Sequence, residues 1–115
     1  MTVRILHNPR CSKSRATLAL LQEKGIDPEI VLYLETPPST KELGDIVKKL
    51  GIKARELLRK GEAEYAELNL GQESLGNEQL LRIMHQHPRL IERPIVLANG
   101  KAAIGRPPES VLEIL

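Results

Sequence analysis

Cysteine occurs once in the chain, at Cys11, inside the polar and basic stretch His7-Asn8-Pro9-Arg10-Cys11-Ser12-Lys13-Ser14-Arg15. A sulfur nucleophile reacts as the thiolate. Thiolates form where the unpaired N–H groups of a helix N-terminus and nearby cations favour the charged state. His7, Arg10, Lys13 and Arg15 supply such cations if they turn inward, and settings of this kind bring a thiol from about 8.5 to somewhere between roughly 3.5 and 7.5. The alternative is that Cys11 is a small buried hydrophobe; its polar neighbours favour the reactive reading. His7 likewise has two readings, an electrostatic partner of the thiol or a hydrogen-bonding bystander in a loop.

Three arginines have suggestive settings. Arg59 closes the segment "ARELLRK", Arg93 precedes Pro94 and a β-prone run, and Arg106 follows Gly105 at the end of another such run. Each alone reads as a solvated surface charge. Together they could clamp a tetrahedral oxyanion, because guanidinium groups bind such oxygens in pairs and stay charged.

Other chemistries lack support. His85 and His87 stand two apart at a helix end, point in different directions and have no second cysteine to join them, so no metal and no bound cofactor are expected. There is no phosphate-binding glycine loop. Seventeen basic and fifteen acidic residues leave a formal charge of +2, and Phe and Trp are absent, so neither a basic excess nor a stacking platform argues for nucleic acid. No apolar run approaches a membrane span, and "MTVRILHNPR" lacks the apolar core of a secretion signal. The expectation is a cytoplasmic protein whose lone thiol stays reduced. Without an obvious exposed apolar stripe, it is expected to be a monomer.

The elements that must position these residues follow from pattern. At 115 residues the chain fits one domain, with a core of Leu, Ile, Val and Ala. Val3–His7 reads as a strand ended by Asn8-Pro9, "SKSRATLALLQEKG" as a helix stopped at Gly25, and "EIVLYL" as a second strand, nearly continuous in apolar residues and therefore buried. Two strands joined by a helix should be parallel. Ser39 and Glu42 form a capping box for a helix carrying Leu43, Ile46, Val47 and Leu50. Residues 54–60 suggest a short helix, 62–70 are ambiguous, and 77–86 suggest another helix ended before Pro88. In "IVLANGKAAI" the pair Asn99-Gly100 predicts a tight hairpin. Pro107-Pro108-Glu109 can open a last helix with Val111, Leu112 and Leu115.

The order β-α-β, helices, β-β-α predicts an α/β domain of the thioredoxin-like class with a four-stranded mixed sheet, spanning 1–115 with a helical insertion over about 36–92. Cys11 then lies where the first strand meets the first helix. Pro94 either protects the start of a strand or is the cis proline that faces the active cysteine in such folds.

With these motifs in place, the sequence resembles the glutaredoxin-dependent arsenate reductase (ArsC) family over nearly its whole length. "HNPRCSKSR", "YLETPPS" before a capped helix, "ELLRKGEAEY", "HPRLIERPIV" and "GRPPE" carry the resemblance in register. It implies that Cys11 attacks arsenate, that Arg59, Arg93 and Arg106 hold the oxyanion, that His7 and Ser14 help the thiolate form, and that Pro94 is cis. It further implies glutathione as co-substrate and glutaredoxin as the resolving partner, which suits a chain with one thiol. Two departures accompany the match: Arg10 stands where a small residue is common, and the chain stops at Leu115, inside the last helix, where longer members continue. Relatives of the same fold include glutathione-linked enzymes acting on other substrates and polymerase-binding regulators; the latter commonly carry a Cys-x-x-Cys switch, whose second position here is Ser14.

Overall fold

The computed structural model describes residues 2–115. The chain divides into two compact units, one built from Met1–Thr36 with Arg93–Leu115, the other from Pro37–Glu92.

The first unit is a four-stranded mixed sheet. β1 (Arg4–Leu6) pairs in parallel with β2 (Glu29–Val31) and antiparallel with β3 (Ile95–Ala98), which pairs antiparallel with β4 (Lys101–Ile104), giving the order β2-β1-β3-β4. This is the thioredoxin-like arrangement. Helix α1 (Ser12–Glu23) makes the parallel crossover, and a 3₁₀ helix over Pro108–Ile114 closes the chain. One sheet face presents Val3, Ile5, Val96, Ala98 and Ala103, and these cluster with Leu21, Val111 and Ile114 from the two helices. Full burial of one such Leu or Ile contributes about 1.5–3 kcal/mol, so an aliphatic core without Phe or Trp suffices to hold α1 against the sheet.

Several expectations change in detail. The apolar run 29–34 is not a buried six-residue strand: β2 ends at Val31, and Leu32 to Glu35 form a turn in which Glu35 and Thr36 N–H groups reach the Leu32 carbonyl at 2.9 Å. β2 is an edge strand, so continuous apolarity here does not mean burial on both faces. Ile30, Leu32 and Leu34 are 46%, 37% and 39% exposed, whereas Tyr33 between them is fully buried. The chain thus has an exposed apolar stretch that the sequence did not reveal. Register on this edge is marked by the facing pair Arg4 and Glu29, joined at 3.0 Å.

The last helix is 3₁₀ rather than α, and its buried positions are Val111 and Ile114 instead of Val111, Leu112 and Leu115. Spacing by three follows from three residues per turn. The hairpin turn forms as expected, with φ of +54° at Asn99 and +72° at Gly100. Asn99 also donates from Nδ2 to the Ile114 carbonyl at 2.8 Å, tying the turn to the end of the 3₁₀ helix.

The second unit contains α2 (Thr40–Leu50), α3 (Ala63–Glu67) and α4 (Asn77–Gln86), with 3₁₀ turns at Ala54–Leu57 and Pro88–Leu90. Ser39 caps α2, its Oγ accepting from the Glu42 N–H at 3.1 Å. Gly51 ends it at φ +69°, where the N–H of Ile52 bonds Val47 and that of Gly51 bonds Lys48, the left-handed stop that glycine adopts at least cost. The segment 54–60 is helical only to Leu57, because Leu58 leaves the helix to bridge Ile91. The Arg55 guanidinium donates to the carbonyls of Leu70 and Gln72, both at 2.7 Å, and so secures the connection before α4. No helix of the described residues is long and apolar enough to cross a membrane, and they contain no cluster of metal-ligating side chains.

Candidate active site

β1 delivers the chain to the loop His7–Arg10, and α1 begins at once. Cys11 occupies the N-cap of α1 in extended conformation, with its carbonyl accepting from the Arg15 N–H at 3.0 Å. A helix start normally carries a Ser, Thr, Asp or Asn cap and acids in the first turn. Here there is neither a side-chain oxygen cap nor an acidic residue in the first turn. The positive end of the helix is left for the sulfur.

The loop is held from the helix it precedes. Ser14, fully buried, places Oγ 2.6 Å from His7 Nδ1 and accepts from the Asn8 N–H at 3.0 Å. Asn8 Oδ1 accepts from the Arg10 N–H at 3.0 Å, its carbonyl accepts from the Cys11 N–H at 3.0 Å, and Arg15 Nη1 donates to the Pro9 carbonyl at 2.9 Å. Every turn of the loop thus has an identified backbone or side-chain partner, which fixes where the thiol stands. Sequence reasoning named His7 and Ser14 but overlooked Asn8, although an Asn two residues ahead of a polar turn is a known signal for such a bond.

Two arginines reach the sulfur. Arg106 Nη2 lies 3.5 Å from Cys11 Sγ, while its Nε donates to the Arg93 carbonyl at 2.8 Å. The Arg93 side chain also bonds the sulfur. Burial pushes the Cys11 thiol up, but the Ser14 N–H, the Arg93 side chain, the Lys13 N–H and the Arg93 charge together outweigh it, leaving the thiol below its ordinary value. Lone cations near a thiolate act as they should on electrostatic grounds. His7 is pushed below its ordinary value, first by burial and then by the Arg15 charge. A neutral imidazole beside Ser14 is the result.

Arg93–Pro94 is cis, as is Arg106–Pro107. The Gly105 N–H bonds the Pro94 carbonyl at 2.9 Å. A Cβ on Gly105 would lie 2.8 Å from Pro94 Cγ and still closer to Thr17 Oγ1 of α1. Glycine is therefore required here by close approach, and it sits immediately before Arg106. Neither Gly105 nor Thr17 was singled out by sequence, since close approach between distant segments leaves no local signal.

Arg59 belongs to the helical unit. Its Nε and Nη1 lie 3.7 Å and 3.5 Å from carboxylate oxygens of Glu62 and Glu92, and its N–H bonds the Leu90 carbonyl at 2.7 Å. The structure thus brings Cys11, His7, Ser14, Arg93, Pro94 and Arg106 together in the sheet unit, and gives Arg59 a carboxylate pair of its own.

Comparison with known proteins identifies the family. The model of the ArsC family matches residues 6–114. The chain is 60% identical to the Escherichia coli K12 protein YfgD, itself described as uncharacterised, over 98% of this chain and 96% of that one. It is 55% identical to an arsenate reductase of Neisseria meningitidis serogroup A, covering 98% and 97% of the two chains. A solved arsenate reductase from Vibrio cholerae is 54% identical and superposes with a TM-score of 0.97 over 100% of this chain and 98% of that one. A family model spanning almost the whole chain, and relatives this similar along their full length, establish that the protein belongs to the ArsC family.

Proposed function

We propose that the protein is an arsenate reductase in which Cys11 is the nucleophile, and that glutathione and glutaredoxin supply the reducing thiols. The observation that carries this reading is the convergence of Arg93 and Arg106 on a sulfur at an uncapped helix start. That arrangement favours the thiolate over the thiol and supports a reading in which the two guanidinium groups donate to oxyanion oxygens during attack. The activity named for the 55% identical Neisseria and 54% identical Vibrio proteins supports the choice of arsenate. Arg59 enters the oxyanion clamp on the strength of its motif.

In the proposed sequence the Cys11 thiolate attacks arsenic, forming an S–As bond and expelling a hydroxide that leaves as water. Glutathione adds its sulfur to the same arsenic and expels a second hydroxide, taken up by the thiol proton. A glutaredoxin thiolate then attacks the glutathione sulfur. The S–As bonding pair passes to arsenic, reducing As(V) to As(III), while a glutathione–glutaredoxin disulfide forms. Water releases arsenite and restores Cys11. Two electrons leave two thiols and two arrive at arsenic. External thiols are needed because the chain has a single cysteine. His7, buried and neutral, orients Ser14 beside the thiol loop. We further propose that the enzyme works in the cytoplasm, where its lone thiol stays reduced, and as a monomer, with the exposed Leu32 and Leu34 lining a cavity rather than a subunit contact.

The test is NADPH oxidation coupled through glutathione reductase, glutathione and glutaredoxin, started with arsenate. Turnover that requires arsenate, glutaredoxin and Cys11, and vanishes in Cys11→Ser, is expected. A folded protein whose Cys11 alkylates rapidly near neutral pH yet shows no arsenate-dependent turnover would remove arsenate as substrate.

A further inference from the structure

The loop leading into Cys11, from His7 to Arg10, lines a cavity of about 300 Å³. Leu32, Leu34 and Glu35, from the turn after β2, complete its lining. Its size falls at the lower end of the ~300–1,000 Å³ typical of small-molecule sites. The wall contributed by Leu32 and Leu34 is the exposed apolar stretch that β2 leaves uncovered, and exposed clusters of this kind mark binding sites. The two charged residues are of opposite sign, and among the described residues neither the Arg10 guanidinium nor the Glu35 carboxylate forms an ion pair.

We propose that this cavity is the subsite for the small thiol, and that it takes a zwitterionic peptide thiol of the glutathione class. The inference rests on the reductase reading above and adds the place where the co-substrate binds. Arg10 would receive a ligand carboxylate, Glu35 the ligand ammonium, and the two leucines the intervening chain. Arg10 directly precedes Cys11, so a thiol held by Arg10 would be one residue of backbone away from the residue that carries the adduct. The bound thiol's sulfur forms its bond to arsenic there, and its proton leaves with the displaced hydroxide as water. A cavity of about 300 Å³ lined by one residue of each charge suits a small molecule better than the broad face of a protein.

The test uses S-methylglutathione, which binds but cannot react. Titration into isotopically labelled protein should produce saturable shifts in the signals of Arg10, Leu32, Leu34 and Glu35. Arg10→Ala and Glu35→Gln should each weaken binding about fivefold, the upper range for an exposed charge pair. In the coupled assay, Glu35→Gln and Leu34→Asp should raise KM for glutathione and leave KM for arsenate unchanged. Shifts confined to other residues, or unaltered affinity in both charge variants, would overturn the subsite. Because binding is read without turnover, a protein inactive on arsenate that still takes S-methylglutathione here would fail the reductase reading alone. Arsenate turnover with no binding in this cavity would fail the subsite alone.

Discussion

Gly105→Ala is the substitution whose effect can be worked most directly from geometry. The added methyl would sit 2.8 Å from Pro94 Cγ and closer still to Thr17 Oγ1, whereas carbon atoms in favourable contact lie about 3.5–4.0 Å apart. At least about 0.7 Å of movement is needed against the proline alone. Neither neighbour gives easily. Pro94 is a ring whose carbonyl is bonded to the Gly105 N–H, and Thr17 is fully buried with its hydroxyl donating to the Lys13 carbonyl at 2.8 Å. Overpacking of this kind costs roughly 1–3 kcal/mol, which for a domain near this size lowers Tm by roughly 4–12 °C. Arg106 is the next residue, so its contact with Cys11 should loosen as well. Thermal unfolding gives the first quantity and the pH dependence of Cys11 alkylation the second, whose midpoint should move up. Thr17→Ala removes the closest atoms, so the double variant should regain part of both losses, a coupling that only neighbouring sites show. If Gly105→Ala unfolds within a degree of the parent and alkylates with the same profile, the close approach does not hold Arg106 in place.

Three further outcomes follow from particular residues. The Cys11 alkylation rate should rise with a midpoint below that of an ordinary thiol, and Arg93→Met should shift it upward; an unchanged profile in the variant would remove Arg93 from the ionisation. The buried His7 has a lowered pKa, so the unfolded chain binds its proton first: stability should be complete above about pH 6.5, fall as pH drops toward the lower folded value, and stop falling below it. Urea unfolding across pH 8 to 5 reads this, and His7→Gln should flatten that window. Ser39→Ala should cost about 1 kcal/mol through the lost cap of α2, measured by chemical unfolding; a loss below about 0.3 kcal/mol would contradict the cap's importance.

How far the sequence disclosed this depended on whether the signal was local. Ser39 with Glu42, Gly51, and Asn99-Gly100 announce their structures because cap and turn chemistry is settled within four residues. "EIVLYL" misled because the sheet order, not composition, decides that β2 lies on an edge. The final helix was visible, but its choice of 3₁₀ geometry depends on placing Val111 and Ile114 in the same core cluster. At the site, Cys11 was legible from its lone occurrence and basic setting, and His7, Arg93 and Arg106 from motif. The bond from the Asn8 N–H to Ser14 Oγ, and the aiming of Arg106 by the Arg93 carbonyl, are products of folding that no spacing rule discloses.

The start of α1 has one more consequence. A serine or aspartate cap accepts N–H groups in its ordinary state, whereas the Cys11 sulfur, faced by the N–H groups of Ser14 and Lys13, accepts them more strongly as a thiolate than as a thiol. Completion of the first turn is therefore expected to follow the ionisation of this sulfur. Amide hydrogen exchange at Lys13 and Ser14, corrected for its intrinsic pH dependence, should therefore slow as the sulfur ionises, and alkylation of Cys11 should speed it.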